Sequence, residues 1–235
     1  MSSTPASAGP DELRRLAGDI NRMAGLVEAQ VAGALEAVAR RDVARARELI
    51  EKDAAIDAMQ GEIERRAVAL IATRTLGDGE LRRAVSALKL AMNLERCGDL
   101  ARNIAKRSLV LSANEPVLAL VPPVDRMGRL VLARLTEVMD AHIARDVGRA
   151  VAVWRRDEEV DDHYEALFRD ILALMAQDPG AVTAAAHLLF IAKNLERIGD
   201  HATNIAEIAH YEMTGEELVG DRPKPPPDPL ELARP

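Results

Sequence analysis

With 235 residues, the chain can form one large domain or two small ones and can bury a substantial core. Aromatic residues make up only 2% of the chain, and the abundance of alanine, leucine, glutamate and arginine favours packed helices over β-sheets. The formal net charge of -7 repels a phosphate backbone, so direct binding of nucleic acid is not expected. The composition therefore predicts an all-α protein whose partners are other proteins.

Two further features indicate the compartment in which such a chain works. Its single cysteine, Cys97, cannot form an internal disulfide, which fits a reducing environment. Its longest apolar runs fall far short of the ~20 residues that span a bilayer. We therefore expect a cytoplasmic protein that is at most peripheral to membrane complexes.

The first half of the chain has apolar residues at helical spacing in three segments, which predict helices at about 11–41, 43–75 and 79–111. Asp42 stands just before the second segment, where an aspartate caps a helix N-terminus. Gly77-Asp78-Gly79 separates the second segment from the third. This half of the chain is therefore predicted to be an antiparallel three-helix bundle.

The second half of the chain repeats the first. Met23 to Asp57 matches Met127 to Asp161 at an offset of 104, with 12 identities in 35 positions. Asn93 to Ala105 matches Asn194 to Ala206 at an offset of 101, with ten identities in 13 positions. We therefore predict a tandem repeat of two antiparallel three-helix bundles with six long helices. The predicted boundaries are a disordered N-terminus at 1–10, the first bundle at 11–112, a linker at 113–124, the second bundle at 125–215 and a disordered proline-rich tail at 216–235.

Duplicated pairs of acidic residues are the strongest functional signal, because two acids four positions apart on a helix share one face. The pairs occupy equivalent places in both repeats: Asp53 with Asp57 and Asp157 with Asp161 on the second helices, and Glu95 with Asp99 and Glu196 with Asp200 on the third. On a helical wheel these acids fall in or beside the apolar face, so four carboxylates per repeat should face a seam between helices. A similar pair, Glu158 with Asp162, has no counterpart in the other repeat and is interpreted as a coincidence.

Carboxylates at a helix seam require a compensating charge. Arginine is one candidate, since Arg96 and Arg197 stand beside the acids. Arg102 also follows Asp99 by three positions, although Thr203 stands at the matching place in the second repeat. A metal ion is the other, and acids from two helices suit iron, manganese, zinc or magnesium, including multinuclear clusters. We predict divalent or trivalent metal ions, with salt-bridge networks and protonated acids as alternatives. The candidates for additional oxygen ligands are Asn103, Asn204 and Glu207.

No catalytic apparatus is recognisable in the sequence, since nucleophile elbows, phosphate-binding glycine loops and Cys-x-x-Cys pairs are missing from it. We predict no catalytic residues and a protein that is not an enzyme. The segment Glu207-Ile208-Ala209-His210 has the Glu-x-x-His form of di-iron bundles, but it occurs only once. A ferritin-like carboxylate-bridged di-iron protein and a metal-free structural bundle are the alternative hypotheses.

The acid motifs of the third helices resemble those of a known family. Asn93-Leu-Glu-Arg-Cys-Gly-Asp99 and the run from Asn194 to Glu207, Asn-Leu-Glu-Arg-Ile-Gly-Asp-His-Ala-Thr-Asn-Ile-Ala-Glu, each follow an Asp-x-x-x-Asp pair on the preceding helix. This arrangement strongly resembles the PhoU family of phosphate-transport accessory proteins, over about Glu12 to Glu217.

The resemblance implies two three-helix bundles, frequent homodimers and multinuclear metal sites on the acid motifs. It also implies a cytoplasmic regulatory adaptor that represses the phosphate-starvation response and modulates phosphate uptake. Such an adaptor connects the ATP-binding subunit of the phosphate ABC transporter to a sensor histidine kinase. Carried over by position, the expected metal ligands are Asp53, Asp57, Glu95, Asp99, Asp157, Asp161, Glu196 and Asp200.

Overall fold

The computed structural model describes residues 8–73, 75–111 and 118–218, and within these ranges it contains seven α-helices and no β-strand. The helices are α1 (Ala8–Arg40), α2 (Val43–Thr73), α3 (Asp78–Leu111), α4 (Val121–Ala144), α5 (Val147–Arg155), α6 (Glu158–Gln177) and α7 (Val182–Thr214). Short 3-10 helices occupy Leu118–Leu120 and Pro179–Ala181. The predicted all-α fold is confirmed. Across the same ranges, none of the helices combines the length and apolar character needed to cross a membrane.

The ends of the two bundles differ slightly from the predicted boundaries. Helix α1 begins at Ala8, within the predicted N-terminal segment, and α4 begins at Val121, within the predicted linker. Two prolines follow Val121 directly, and proline suits the first turn of a helix because its missing N–H would have no partner there. Residues 1–7, 74, 112–117 and 219–235, which include most of the predicted disordered tail and five residues of the predicted linker, lie outside the described residues.

Equivalent caps open the second helix of each repeat. Asp42 Oδ1 accepts a hydrogen bond of 2.9 Å from the backbone N–H three residues on, and Asp146 Oδ1 accepts one of 3.0 Å in the same way. The residue before each cap has a left-handed backbone, with φ of 57° at Arg41 and 54° at Arg145. The predicted N-cap at Asp42 and its counterpart at Asp146 are therefore present in the structure.

The second helix of the second repeat, predicted as one long helix, is interrupted between α5 and α6. At Arg156 the backbone has ψ of 20°, and its N–H bonds to the carbonyl three residues back rather than four. Asp157 then takes the N-cap position of α6, although its side chain makes no capping bond there. One of the predicted metal ligands therefore lies at a helix N-terminus, where the helix dipole favours a negative charge.

The third helices of the two repeats, α3 and α7, pack along each other in opposite directions. Near one end of this contact Lys89 Nζ lies 5.9 Å from the ring centre of Tyr211, and farther along α3 the Arg107 side chain lies 3.4 Å from His187 Nδ1. The first helices, α1 and α4, are also in contact, and one hydrophobic core extends through both repeats. The two bundles therefore form one body, in which α3 and α7 bring the two acid motifs to the centre.

A buried ionic cluster ties the repeats together at one end of the α3 and α7 contact. Glu212 is only 8% exposed, and its carboxylate is hydrogen-bonded to His142 Nε2 at 3.0 Å and to Arg145 at 3.2 Å. Arg83 of the first repeat forms an ion pair with the same carboxylate at 3.9 Å. Burial raises the pKa of Glu212, but the hydrogen bond from His142 and the nearby arginines outweigh it, so the pKa lies below its usual value. Glu212 is therefore a charged anchor between the bundles.

Gly128 on α4 should be intolerant of a side chain. A Cβ atom at this position would overlap with Leu35 Cδ2 of α1, and Leu35 is buried. We expect Gly128→Ala to lower the free energy of unfolding by about 1–3 kcal/mol through overpacking. Gly25→Ala on α1 is the matched control, because its Cβ would meet no atom within 4 Å. The control should be stabilised by about 0.5–1 kcal/mol. Equal urea midpoints for the two variants would contradict the close contact of α1 with α4.

Candidate metal centres

The first acidic cluster lies between α2 and α3. Asp53, Asp57 and Asp99 each place one carboxylate oxygen within 4.8 Å of the others. Asp53 is buried, Asp99 is half-buried and Asp57 is exposed. Glu95, one turn before Asp99, is half-buried beside them. The structure therefore brings together acids that the sequence places on two different helices.

A guanidinium group already binds this first cluster. Arg102 forms ion pairs with Asp53 and, at 2.8 Å, with Asp99. On the other side, Gln30 Nε2 of α1 donates a hydrogen bond of 2.9 Å to Asp53 Oδ1. Asp53 thus has a cationic and a neutral donor supplied by two other helices.

The electrostatics of the first cluster still disfavour full ionisation. Partial removal from water raises the pKa of Asp57, and the charges of Asp53 and Asp99 raise it further against the opposing effect of Arg102. Burial likewise raises the pKa of Glu95, with the Asp99 charge acting in the same direction. Arg102 and the more exposed Arg96, which lies 3.6 Å from Glu95 and 3.8 Å from Asp99, therefore offset only part of the repulsion among the four carboxylates.

The second cluster lies where α6 begins and against α7. Asp157 and Glu196 are buried, with 5% and 6% of their surfaces exposed, and Asp161 and Asp200 are half-buried. The Thr203 hydroxyl donates a hydrogen bond of 2.6 Å to Asp157 Oδ1. Among the described residues, these acids do not bring three ligand oxygens within 4.8 Å of one another. The carboxylate oxygens of the second cluster therefore converge less closely than those of the first.

The two carboxylate oxygens of Glu196 differ in their hydrogen bonding. Its Oε1 atom accepts a hydrogen bond of 3.0 Å from Lys193 Nζ, one turn earlier on α7. Its Oε2 atom is buried and has no hydrogen-bond partner among the described residues. Leaving a buried charged oxygen unpaired is costly, so this atom fits a ligand position for a cation.

Asp161 shows how strongly the second cluster resists ionisation. Burial raises the pKa of Asp161 to about 7, and the charges of Asp157, Glu196 and Asp200 contribute in the same direction, with Lys193 opposing them. A carboxyl that ionises only near neutrality is poised to exchange its proton for a metal ion.

Matching glycines allow the helices that carry the acids to approach each other closely. A Cβ atom at Gly98 would lie 3.0 Å from Ile56 Cδ1, and one at Gly199 would lie 3.2 Å from Val160 Cγ1. Ile56 and Val160 are themselves equivalent at the repeat offset of 104. Both repeats therefore use the same contact to hold their acid-bearing helices together.

The three candidates for additional oxygen ligands differ in their distance along the helix from the acids. Asn103 and Asn204 are half-buried one turn after the last aspartate of each motif. Glu207 accepts a hydrogen bond of 3.0 Å from Trp154 Nε1. This bond holds Glu207 to α5, two turns along α7 from Asp200.

Three residues that contact the clusters were not identified from the sequence: Gln30, Arg134 and Lys193. Arg134 lies at the place of Gln30 in the second repeat and contacts the carbonyl of Asp157 at 3.4 Å and Glu159 at 2.8 Å. Applying the offset of 104 to the first helices would have paired Gln30 with Arg134. The offset alone would not have shown that either side chain reaches an acid more than 20 positions away.

The fold and the site together define a class of protein: two repeated helical bundles, each with a cluster of four carboxylates between two of its helices. The family model for the PhoU domain matches residues 20–108 and 124–209, once in each bundle. A phosphate-specific transport system accessory protein PhoU homolog of Caulobacter vibrioides is 53% identical over 214 residues, which cover 91% of this chain and 93% of that protein. A homolog of the same name from Rhizobium meliloti is 39% identical and covers 93% and 92%.

A solved structure gives the same result. The crystal structure of PhoU from Pseudomonas aeruginosa superposes with a TM-score of 0.85 at 32% identity, and the match covers 88% of this chain and 99% of that one. The chain therefore belongs to the PhoU family, as the acid motifs predicted. These relatives are named as accessory proteins of phosphate transport and not as enzymes, in agreement with the prediction that the protein is not an enzyme.

Proposed function

We propose that the protein is a metal-binding cytoplasmic regulatory adaptor of phosphate uptake. In this role it represses the phosphate-starvation response by linking the ATP-binding subunit of the phosphate ABC transporter to a sensor histidine kinase. The observation that carries the proposal is the match over nine tenths of the chain to relatives named as phosphate-transport accessory proteins.

The acidic clusters support the metal-binding part of the proposal. Asp157, Asp161, Glu196 and Asp200 present hard oxygen donors from two helices, and Glu196 Oε2 is a buried oxygen without a hydrogen-bond partner in the described part of the chain. A bound ion supplies positive charge that neutralises these carboxylates and cross-links α6 to α7. In the first cluster the matching donors would be Asp53, Asp57, Glu95 and Asp99, where Arg102 is already bound.

The di-iron alternative has weaker support. A ferritin-like centre uses Glu-x-x-His from two helices, and Glu207, the glutamate of the one such motif in the sequence, is hydrogen-bonded to Trp154. The metal-free alternative receives its main support at the first cluster, where Arg102 pairs with two carboxylates, whereas in the second cluster Lys193 pairs with one oxygen of Glu196.

Co-purification tests the adaptor role. Tagged protein from cells grown at high phosphate should retain the transporter's ATP-binding subunit and the sensor kinase, and deleting the gene should raise phosphate-starvation expression at high phosphate. Sedimentation equilibrium of the same preparation tests the predicted homodimer. Retention of neither partner, together with unchanged expression in the deletion strain, would contradict the proposed role.

A further inference from the structure

The two acidic clusters have their built-in cations at different positions, since the repeat offset of 101 places Lys193 of the second cluster on Met92 of the first. The repeat offset of 101 that places Glu95 on Glu196 and Asp99 on Asp200 also places Arg102 on Thr203. Both residues contact the first acid of their cluster, Asp53 in one repeat and Asp157 in the other. The first cluster therefore contains a permanent cation at a place where the second has a neutral hydroxyl.

In the first cluster the guanidinium of Arg102 uses the oxygens that a metal ion would need. It pairs with Asp53 and Asp99, two of the three acids whose oxygens converge within 4.8 Å. Its side chain is 26% exposed, so solvent screens these contacts only in part. A metal ion entering here would have to displace the guanidinium and would then be repelled by it at close range.

In the second cluster the corresponding position supplies no charge. Thr203 is buried and donates its hydroxyl to Asp157 Oδ1 at 2.6 Å. Glu196 is 6% exposed, and its Oε2 atom has no hydrogen-bond partner among the described residues. The acids are also spread farther apart than in the first cluster. Lys193 supplies one positive charge, to Glu196 Oε1 at 3.0 Å, and leaves Oε2 as the buried oxygen that a metal ion would bind.

We infer that Arg102 is the built-in counter-ion of the first cluster and that metal binds preferentially at the second cluster, on Asp157, Asp161, Glu196 and Asp200. This inference rests on the metal-binding part of the proposed function. It assigns the two repeats different roles. In the first repeat, ion pairs of Arg102 hold α2 to α3 without metal; in the second, the contact of α6 with α7 depends on whether metal is bound. A unit charge held a few ångströms from the ion should weaken metal binding at the first cluster by roughly 100-fold or more.

An exchange of the two residues tests the inference directly. Mn²⁺ binding to the full chain is measured by equilibrium dialysis for wild type, Arg102→Thr and Thr203→Arg, with helicity checked by circular dichroism. Wild type should bind Mn²⁺ at one cluster. Arg102→Thr should gain a second set of bound ions, and Thr203→Arg should lose most of the binding.

A further pair of variants covers the case in which the buried Thr203→Arg fails to fold. Asp53→Asn with Asp57→Asn removes charge from the first cluster and should leave wild-type stoichiometry unchanged. In addition, Trp154 is the sole tryptophan and lies three residues before Asp157, so its emission should change when Mn²⁺ binds to wild type. The extra ions gained by Arg102→Thr should bind without a further change in emission.

The outcomes separate this inference from the proposed function. Equal occupancy of both clusters in wild type, or no gain in Arg102→Thr, overturns the role of Arg102 while metal binding stands. Loss of wild-type binding in Asp53→Asn with Asp57→Asn also overturns it. An absence of Mn²⁺ binding in every folded variant overturns the inference together with the metal-binding part of the proposed function.

Discussion

Replacing Glu196 and Asp200 by alanine should abolish metal binding at the second cluster while leaving the helical content unchanged. The double variant removes two of the four carboxylates, including the buried oxygen that has no hydrogen-bond partner in the described residues. The loss of two ligands should weaken Mn²⁺ binding by more than about 100-fold, since even outer-shell changes cost 10–100-fold. Dialysis followed by elemental analysis measures the effect.

The chain supplies a matched control for this experiment. Glu158 and Asp162 have the same spacing and carry the same two charges, but both are exposed on α6. Glu158→Ala with Asp162→Ala should bind Mn²⁺ as wild type does. If both double variants keep the full metal content, the ligands lie elsewhere in the chain; if both lose it equally, the binding is a general effect of negative charge.

The contribution of Asp161 to the stability of the metal-free protein should fall as the pH rises from about 4 to about 7. Burial and neighbouring acids raise the pKa of Asp161 to about 7, whereas an unfolded chain has an aspartate pKa near 3.8. In this window the Asp161 carboxyl holds its proton more fully in the folded state than in the unfolded state, so this group favours unfolding as the pH rises. His201 acts in the opposite direction, because burial lowers its pKa to about 4. The effect is below about 1.4 kcal/mol per pH unit, and solvent screening at this half-buried carboxyl reduces it further.

Asp161→Asn should remove this pH dependence and stabilise the metal-free protein at pH 7. Urea unfolding in the presence of a chelator, at several pH values, measures the change. Asp162→Asn, at the exposed neighbouring position, is the control and should leave the slope unchanged. With metal bound, wild type should instead become more stable as the pH rises, because the ion binds the deprotonated acids. A stability difference between Asp161→Asn and metal-free wild type that stays constant across the pH range would contradict the raised pKa.

The architecture could be predicted from the sequence because duplication makes local signals mutually supporting. Asp42 and Asp146 cap equivalent helices, and the glycines at 98 and 199 recur beside equivalent apolar partners. The interruption at Arg156 was not predictable, since the segment around it keeps a helical apolar pattern. At the interruption, backbone N–H groups bond to the carbonyl three residues back instead of four.

The candidate sites were predictable in their acids and in Arg102, which follows Asp99 by three positions, but not in the side chains that reach them from the first helices. A helical wheel indicates which face of α2 carries Asp53 and which face of α3 carries Asp99. The spacing of four positions between the two acids of each pair identifies them from the sequence alone. Neither signal indicates which side chain of a third helix reaches them. Gln30 and Arg134 come from the first helices, 23 positions before the acids that they contact. Their roles depend on the packing of all three helices.

The metal content of wild-type protein purified without a chelator tests the central claim most directly. Elemental analysis should find metal bound to the wild-type chain and lost from Glu196→Ala with Asp200→Ala, with the circular dichroism spectrum unchanged. A folded wild-type protein that carries no iron, manganese, zinc or magnesium, and takes up none when these metals are supplied, would contradict the account.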